Sequence, residues 1–217
     1  MFSLLVRKLF NKSKTVSGFT LIELLAVIVI AGILAAISAQ SFEALQNTRR
    51  INAAQGELFN AIKQAQSRAK KDKISYQVSI RRNPAGDGEI QVGVHNAKFP
   101  SGPNAGKDRD DVDNWSWRPI VSDIRDSQRV LVGAVNSQVK KISEQRVICV
   151  KFDSKGNYDL TGHCINFTDT YVVIKGERSS GTNQKLRCVR VASSLIGGIT
   201  SFKQGEASCN DTSKDYL

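Results

Sequence analysis

An apolar run near the N-terminus, FTLIELLAVIVIAGILAAISA, occupies residues 19–39. A helix needs about 20 consecutive apolar residues to cross a bilayer, so this run predicts a transmembrane helix. Glu23 is the one charged residue in the run. Because an ionisable side chain inside a bilayer costs about 2.5–3.5 kcal/mol on insertion scales, we interpret Glu23 as a functional residue.

A different hydrophobic period follows over residues 40–73. Apolar residues recur there at three- or four-residue steps, with charged residues between them. This spacing places the apolar residues on one face of a helix and predicts an amphipathic continuation of the first helix. The residues of this apolar stripe are Phe42, Leu45, Ile51, Ala54, Leu58, Ile62, Ala65 and Ala69.

From residue 74 the period changes to two, which is typical of half-buried β-strands. We predict strands at residues 74–80, 90–94, 129–135, 146–152, 163–167, 171–175 and 186–191. Turn residues separate these short segments, and no second long helical pattern follows. The sequence therefore predicts an α+β fold, in which one long N-terminal helix packs on an antiparallel β domain of residues 74–217.

Charge adds two observations to this pattern. The chain of 217 residues has a formal net charge of +11, which favours acidic partners such as nucleic acid or an anionic membrane surface. Residues 1–18 contain four basic residues and no acid, and a basic leader of this kind stays on the cytoplasmic side of a membrane. A conventional secretory signal cut near Ala39 is an alternative, but it would leave Glu23 unexplained.

The six residues GFTLIE, from Gly18 to Glu23, resemble the prepilin processing motif of type IV pilins and type II secretion pseudopilins. The resemblance implies that prepilin peptidase removes the leader of residues 1–18 by cutting between Gly18 and Phe19. It also implies that the peptidase methylates the new amine of Phe19. Because the cut precedes the apolar run, the chain would keep one helix in the bacterial inner membrane.

Glu23 acquires a specific role from this cut. Its carboxylate can neutralise the free amine of Phe19, since pairing makes a buried charge tolerable. The resemblance implies that the amine belongs to a neighbouring subunit of a filament. A glutamate that only extends toward the lipid headgroups is the plainer alternative.

Residues 51–80, INAAQGELFNAIKQAQSRAKKDKISYQVSI, are similar to the GspH/FimT branch of minor pseudopilins. This likeness implies a periplasmic β-sandwich-like domain that clasps the end of the helix. It also implies that the chain assembles with other pilin or pseudopilin subunits on an inner-membrane platform, into a pilus or pseudopilus, and needs no cofactor. Whether that filament serves type II secretion or a type IV pilus stays open.

Four cysteines, Cys149, Cys164, Cys188 and Cys209, lie in the last third of the chain. An even number confined to one region is typical of disulfides formed in an oxidising compartment. The segment VICVKFDSKGNYDLTGHCINF resembles a late strand, turn and strand unit of the GspH/FimT branch, with the turn near residues 156–157. We therefore favour the pairs Cys149–Cys164 and Cys188–Cys209, and the two other connectivities remain alternatives.

A basic C-terminal region supports an alternative function. Some FimT-like minor pilins carry such a region and bind DNA during uptake, which requires Lys and Arg side chains on one face. Lys185, Arg187 and Arg190 are the candidate DNA contacts here. The glycine-arginine motif of those pilins is absent, and LIGGITSF stands in its place.

Two further groups of residues suggest metal binding less strongly. Asp108, Asp110, Asp111 and Asp113 could supply oxygen ligands to calcium, although we expect a solvated loop because the other residues of a calcium loop are missing.

The two histidines form the second group. His95 or His163, combined with cysteines, could form another metal site, but surface histidines are the plainer interpretation. No catalytic signature stands out, so we predict a protein that is not an enzyme.

Overall fold

The computed structural model describes residues 18–99, 101–103, 105–109, 111–123, 128–135, 140–142, 145–159, 169–176, 186–192, 198–203, 206, 209 and 216–217. Within these residues the chain forms one α-helix, one short 3-10 helix and nine β-strands. The elements are α1 (Leu21–Asp72), β1 (Tyr76–Arg82), β2 (Ile90–Asn96), the 3-10 helix (Val112–Asn114), β3 (Arg118–Pro119), β4 (Val130–Val135), β5 (Lys140–Ile142), β6 (Gln145–Phe152), β7 (Asp169–Gly176), β8 (Arg187–Ala192) and β9 (Ile199–Lys203). The predicted class, α+β with a long N-terminal helix and a C-terminal antiparallel β domain, is confirmed.

Contacts divide the chain into two compact units, Met1–Ala44 and Leu45–Leu217. The first unit contains the start of α1. Across the described residues, no helix combines the length and the apolar character that crossing a membrane requires. The span predicted at residues 19–39 includes residues 37–39, whose side chains lie outside the described part of the chain.

The second unit contains two antiparallel sheets. The five-stranded sheet has the order β3-β2-β1-β6-β5, and the four-stranded sheet has the order β4-β7-β8-β9. In the first sheet Val78 pairs with Val94 on one side and with Val150 on the other. In the second sheet Val172 pairs with Ala134 and with Val189. Apolar positions that alternate along the strands therefore line up across each sheet.

One hydrophobic core joins both sheets to the second half of α1. The helix contributes residues at steps of one, three or four, which places them on a single face. They are Ile51, Ala54, Leu58, Ala61, Ile62, Ala65 and Ala69. The predicted apolar stripe is confirmed from Ile51 onward, whereas Phe42 and Leu45 are exposed.

The predicted strands agree with the structure in the regions that it describes, with small shifts at their ends. The first strand begins at Tyr76 rather than at residue 74, because the chain leaves α1 through Lys73 in a left-handed conformation (φ 58°). Three elements, β3, β5 and β9, were not predicted. The strand predicted at residues 163–167 lies outside the described residues.

The outer face of the five-stranded sheet, on the side away from the core, is also covered. Val112, Trp115 and Trp117 pack there against Val147 and Cys149 of β6. This cover buries a set of polar side chains that the alternating pattern alone would leave in water. They are Gln77, Ser79, Arg81, His95 and Lys151.

Candidate assembly site at the start of the long helix

The predicted cleavage position lies just before α1, in chain without regular secondary structure. Gly18 and Phe19 precede the helix, which begins at Leu21. Both residues are exposed, and a Cβ atom placed on Gly18 would meet no atom within 4 Å. The peptide bond between them is therefore open to an approaching enzyme.

Thr20 caps the start of the helix. Its hydroxyl oxygen Oγ1 accepts a hydrogen bond from the backbone N–H of Glu23 at 3.3 Å. Its carbonyl oxygen accepts from the N–H groups of Glu23 and Leu24, each at 3.1 Å. A threonine at this position followed three residues later by glutamate is the sequence pattern of a capping box, a signal that our sequence analysis did not use.

Glu23 lies in the first turn of α1 and is exposed to solvent in the single chain. The free N–H groups at a helix N-terminus carry partial positive charge, so a carboxylate is favoured there. Because the Glu23 side chain is exposed, a cation from outside the chain can also reach its carboxylate. An amine on another subunit has the charge and the small size that such a contact requires.

The helix around Glu23 is apolar on every side. All residues from 18 to 36 are exposed, and Leu21 keeps 83% of its surface in contact with solvent. A helix that is hydrophobic all round is normally buried in a membrane or a protein core. Large apolar side chains exposed here are Phe19, Leu21, Ile22, Leu24, Leu25, Val27, Ile28, Val29, Ile30, Ile33 and Leu34.

Two of the candidate DNA contacts, Arg187 and Arg190, do not lie on a common face. In β8, Val189 and Val191 are two residues apart and both point into the core. Side chains alternate between the two faces of a strand, so Arg187 lies on the core side and Arg190 on the opposite side. The Nε of Arg187 donates a hydrogen bond to Oδ1 of Asn52 on α1 at 2.8 Å. Lys185 lies outside the described residues.

The structure describes three of the four cysteines for which disulfides were predicted. Cys188 and Cys209 form a disulfide with 5.7 Å between their Cα atoms. Cys149 is disulfide-bonded, and its predicted partner Cys164 lies outside the described residues. The predicted turn is present, since Gly156 takes a left-handed conformation (φ 78°) and Phe152 pairs with Tyr158 across it.

The acidic segment of residues 108–113 is not a simple solvated loop, so that expectation is wrong for two of its aspartates. A carboxylate oxygen of Asp108 accepts a hydrogen bond from the ammonium group of Lys151 at 3.0 Å. Asp111 accepts from Nε of Arg109 at 2.8 Å, and this hydrogen bond lowers the pKa of the Asp111 carboxyl. Asp110 and the side chain of Asp113 lie outside the described residues.

His95 is not a surface residue. Its ring stacks on Trp115, and its Nε2 lies 3.0 Å from the hydroxyl oxygen of Ser79. Burial lowers the pKa of His95 to about 4, so the ring is neutral at pH 7. His163, with which it could have shared a metal, lies outside the described residues.

Residues 13–39 match a protein-family model described as the prokaryotic N-terminal methylation motif. The match supports the type IV pilin and pseudopilin family in general. It indicates a type IV pilin-like protein that is cleaved and methylated at its N-terminus. Such a motif points to a structural protein rather than to an enzyme. No curated protein and no solved structure matches this chain.

Proposed function

We propose that this chain is a GspH/FimT-like minor type IV pilin or type II secretion pseudopilin, a structural subunit of a filament. One observation carries the proposal: the first part of α1, residues 21–36, is exposed on all sides and contains a single acid, Glu23, in its first turn. Such a helix requires an apolar environment, which the membrane supplies before assembly and neighbouring helices supply afterwards.

Processing comes first in this proposal. Prepilin peptidase cuts between Gly18 and Phe19 and methylates the amine of Phe19. The exposure of these two residues and their lack of regular secondary structure support access of the peptidase. The cut removes the basic leader and leaves a positive amine next to the apolar helix.

Assembly follows from the charge that the cut creates. Inside a bundle of apolar helices, the amine of Phe19 and the carboxylate of Glu23 would each be costly to bury alone. Pairing the amine of one subunit with the carboxylate of its neighbour removes both costs and fixes the axial position of the two helices. Residues 19–39 supply the apolar packing around this pair.

The domain that starts at Leu45 would lie in the periplasm and carry the contacts with other subunits. The disulfide between Cys188 and Cys209 supports an oxidising compartment for this domain. The alternative function in DNA uptake receives less support from the geometry, because Arg187 and Arg190 lie on opposite sides of β8.

Mass spectrometry of the mature chain tests the processing step. We expect the N-terminal peptide to begin at Phe19 with one methyl group on its amine. A mature chain that begins at any other residue contradicts the proposal. Gly18→Leu provides the matched variant, and we expect it to accumulate as the uncut precursor.

Glu23→Gln tests the assembly step, because glutamine keeps the shape of the side chain and removes its charge. We expect the variant to be cut and membrane-bound, but to be lost from sheared filaments by about tenfold or more, as removal of one partner from a buried pair predicts. Glu43→Gln is the control, since Glu43 is an exposed acid of the same unit. Equal recovery of Glu23→Gln and Glu43→Gln in filaments would reject the role of Glu23.

A further inference from the structure

We propose that one end of the five-stranded sheet binds an anionic phospholipid surface. The binding surface consists of exposed lysines around one exposed isoleucine, and we call it the basic end. Its residues are Lys70, Lys71, Lys73, Ile74, Lys98 and Lys155. The proposal goes beyond filament assembly and rests on contacts within the domain that starts at Leu45.

The register of three neighbouring strands brings these residues together. Tyr76 at the start of β1 pairs with Asn96 at the end of β2 and with Phe152 at the end of β6. The segments that carry the lysines leave the sheet beside these three residues. Neighbouring strands lie about 5 Å apart, so the three strand ends span roughly 10 Å.

Two direct contacts hold the segments of the basic end against one another. The N–H of Ala97 donates a hydrogen bond to the carbonyl oxygen of Ser75 at 2.9 Å, which places Lys98 beside the chain that leaves α1. The carbon stem of Lys70 lies over Gly156, in the space that a Cβ atom there would fill. The turn that follows β6 therefore lies against the last turn of α1.

The lysines of the basic end keep their charge available. None of them forms a salt bridge with a described residue. The acids nearby are engaged within the protein. Asp108 and Asp159 share the buried ammonium group of Lys151, Asp72 accepts a hydrogen bond from a tyrosine hydroxyl, and Asp153 accepts from two backbone N–H groups of its own turn. Cations within about one Debye length, roughly 8–10 Å, reinforce one another and attract anions.

Ile74 selects the kind of anionic partner. It keeps 42% of its surface exposed, between Lys73 and the segment that carries Lys98. An apolar side chain can enter the headgroup region of a membrane while neighbouring ammonium groups reach the phosphates. The hydrophilic backbone of a nucleic acid offers no such place, so this combination favours a phospholipid surface.

The number of lysines predicts a measurable preference. Each lysine near an anionic lipid surface raises the affinity by a factor of about five. The five lysines together should therefore favour an acidic surface over a neutral one by about a thousandfold at low salt.

Vesicle flotation of the full chain tests the proposal. The chain is first inserted into nanodiscs of neutral phosphatidylcholine, a step that rests on the proposed membrane insertion of α1. The nanodiscs are then mixed with vesicles that contain about 30% phosphatidylglycerol, or with vesicles of phosphatidylcholine alone. We expect flotation with the acidic vesicles only, and release when NaCl is raised to about 0.5 M.

Failure of the proposed function gives a different result from failure of the basic end. If the chain does not enter the nanodiscs, the membrane insertion of α1 is rejected. The chain is then added directly to the two kinds of vesicle, and the comparison between them still tests the basic end.

Matched variants locate the binding surface. Lys71→Glu combined with Lys98→Glu should weaken binding to acidic vesicles by about thirtyfold or more. Arg129→Glu combined with Lys203→Glu makes the same change in charge at exposed positions of the four-stranded sheet and should weaken binding by less than about fivefold. Ile74→Ser should weaken binding to acidic vesicles by about threefold and leave binding to a labelled DNA duplex unchanged.

Four results would overturn the proposal. They are equal flotation of the wild type with both kinds of vesicle, equal losses in the two double variants, and unchanged vesicle binding of Ile74→Ser. The fourth is a loss of duplex binding in the Lys71 and Lys98 double variant with unchanged vesicle binding, which would assign the basic end to nucleic acid. If that double variant fails to fold, Ile74→Ser and the wild-type comparison decide the outcome.

Discussion

The imidazole ring of His95 stacks on the indole ring of Trp115, with 3.7 Å between the ring centroids and 25° between the planes. His95 belongs to β2, and Trp115 belongs to the segment that covers the outer face of the five-stranded sheet. The contact closes a buried polar layer in which the histidine is neutral. The stability of this layer should therefore depend on pH.

Lower pH should destabilise the domain through His95. Burial lowers its pKa from 6.5 to about 4, with Arg109 and Asp111 as the nearest charges. The unfolded chain therefore binds a proton at higher pH than the folded chain, and stability is lost as pH falls from 6.5 toward 4. We expect the free energy of unfolding to drop by about 2 kcal/mol between pH 7.5 and pH 5 from this residue alone.

Urea unfolding at the two pH values measures this loss. His95→Gln removes the titrating group and is the matched variant. Its free energy of unfolding should fall less than that of the wild type over the same interval. An equal fall in both proteins would exclude His95 as the cause.

Lys151 should be more important for stability than any exposed lysine. Its side chain is 2% exposed, and its ammonium group lies 3.0 Å from Asp108 and 3.2 Å from Asp159. Lys151→Ala leaves two partly buried carboxylates without their cation and should cost about 3 kcal/mol. Lys155→Ala, at an exposed position of the neighbouring turn, should change the free energy of unfolding by less than about 0.5 kcal/mol. A similar cost for both variants in urea unfolding would contradict this prediction.

Two glycine substitutions should have opposite effects. A Cβ on Gly93 would lie 2.9 Å from the backbone oxygen of Ser116 and 3.4 Å from the ring of Trp117. Gly93→Ala should therefore destabilise the domain by about 1–3 kcal/mol. Gly56 lies on the exposed side of α1, where a Cβ would meet nothing within 4 Å.

Gly56→Ala should therefore stabilise the helix by up to about 1 kcal/mol. The midpoints of thermal unfolding should move in opposite directions for the two variants. A rise for Gly93→Ala would show that the space around Gly93 is less restricted than the structure indicates, and a fall for Gly56→Ala would contradict the prediction for the helix.

The disulfide between Cys188 and Cys209 should stabilise the domain by about 3 kcal/mol, because it closes a loop with a sequence separation of 21. Cys188→Ser combined with Cys209→Ser should lower the free energy of unfolding by that amount. Each single variant would leave a free thiol, so the double variant is the cleaner measurement. If the double variant unfolds at the same urea concentration as the wild type, the stabilising role is rejected.

The helix and several strands were predictable because their signals are local. The stripe from Ile51 to Ala69 repeats at helical spacing, β1 and β2 alternate with period two, and β6 contains a short continuous apolar run. The hydrophobic pattern of β1 was misleading for the face that points away from the main core. Gln77 and Ser79 look solvent-facing in the sequence, but Trp115 and Trp117 cover that face from a distant segment. Such cover depends on tertiary contacts, which no local period encodes.

The candidate sites were also predictable only where their signals are local in the sequence. The motif from Gly18 to Glu23 is contiguous and could be recognised from the sequence. Arg187 and Arg190 were both candidate DNA contacts, but they lie on opposite faces of β8, since an odd separation places two strand residues on opposite faces.

The capping hydrogen bonds of Thr20 have a consequence for the order of events in the cell. Among the described residues, the hydrogen bonds that start α1 are accepted by Thr20 and donated by Glu23 and Leu24. Removal of residues 1–18 therefore breaks none of these bonds. The precursor and the trimmed chain can therefore share one helix start, and cleavage requires no refolding there.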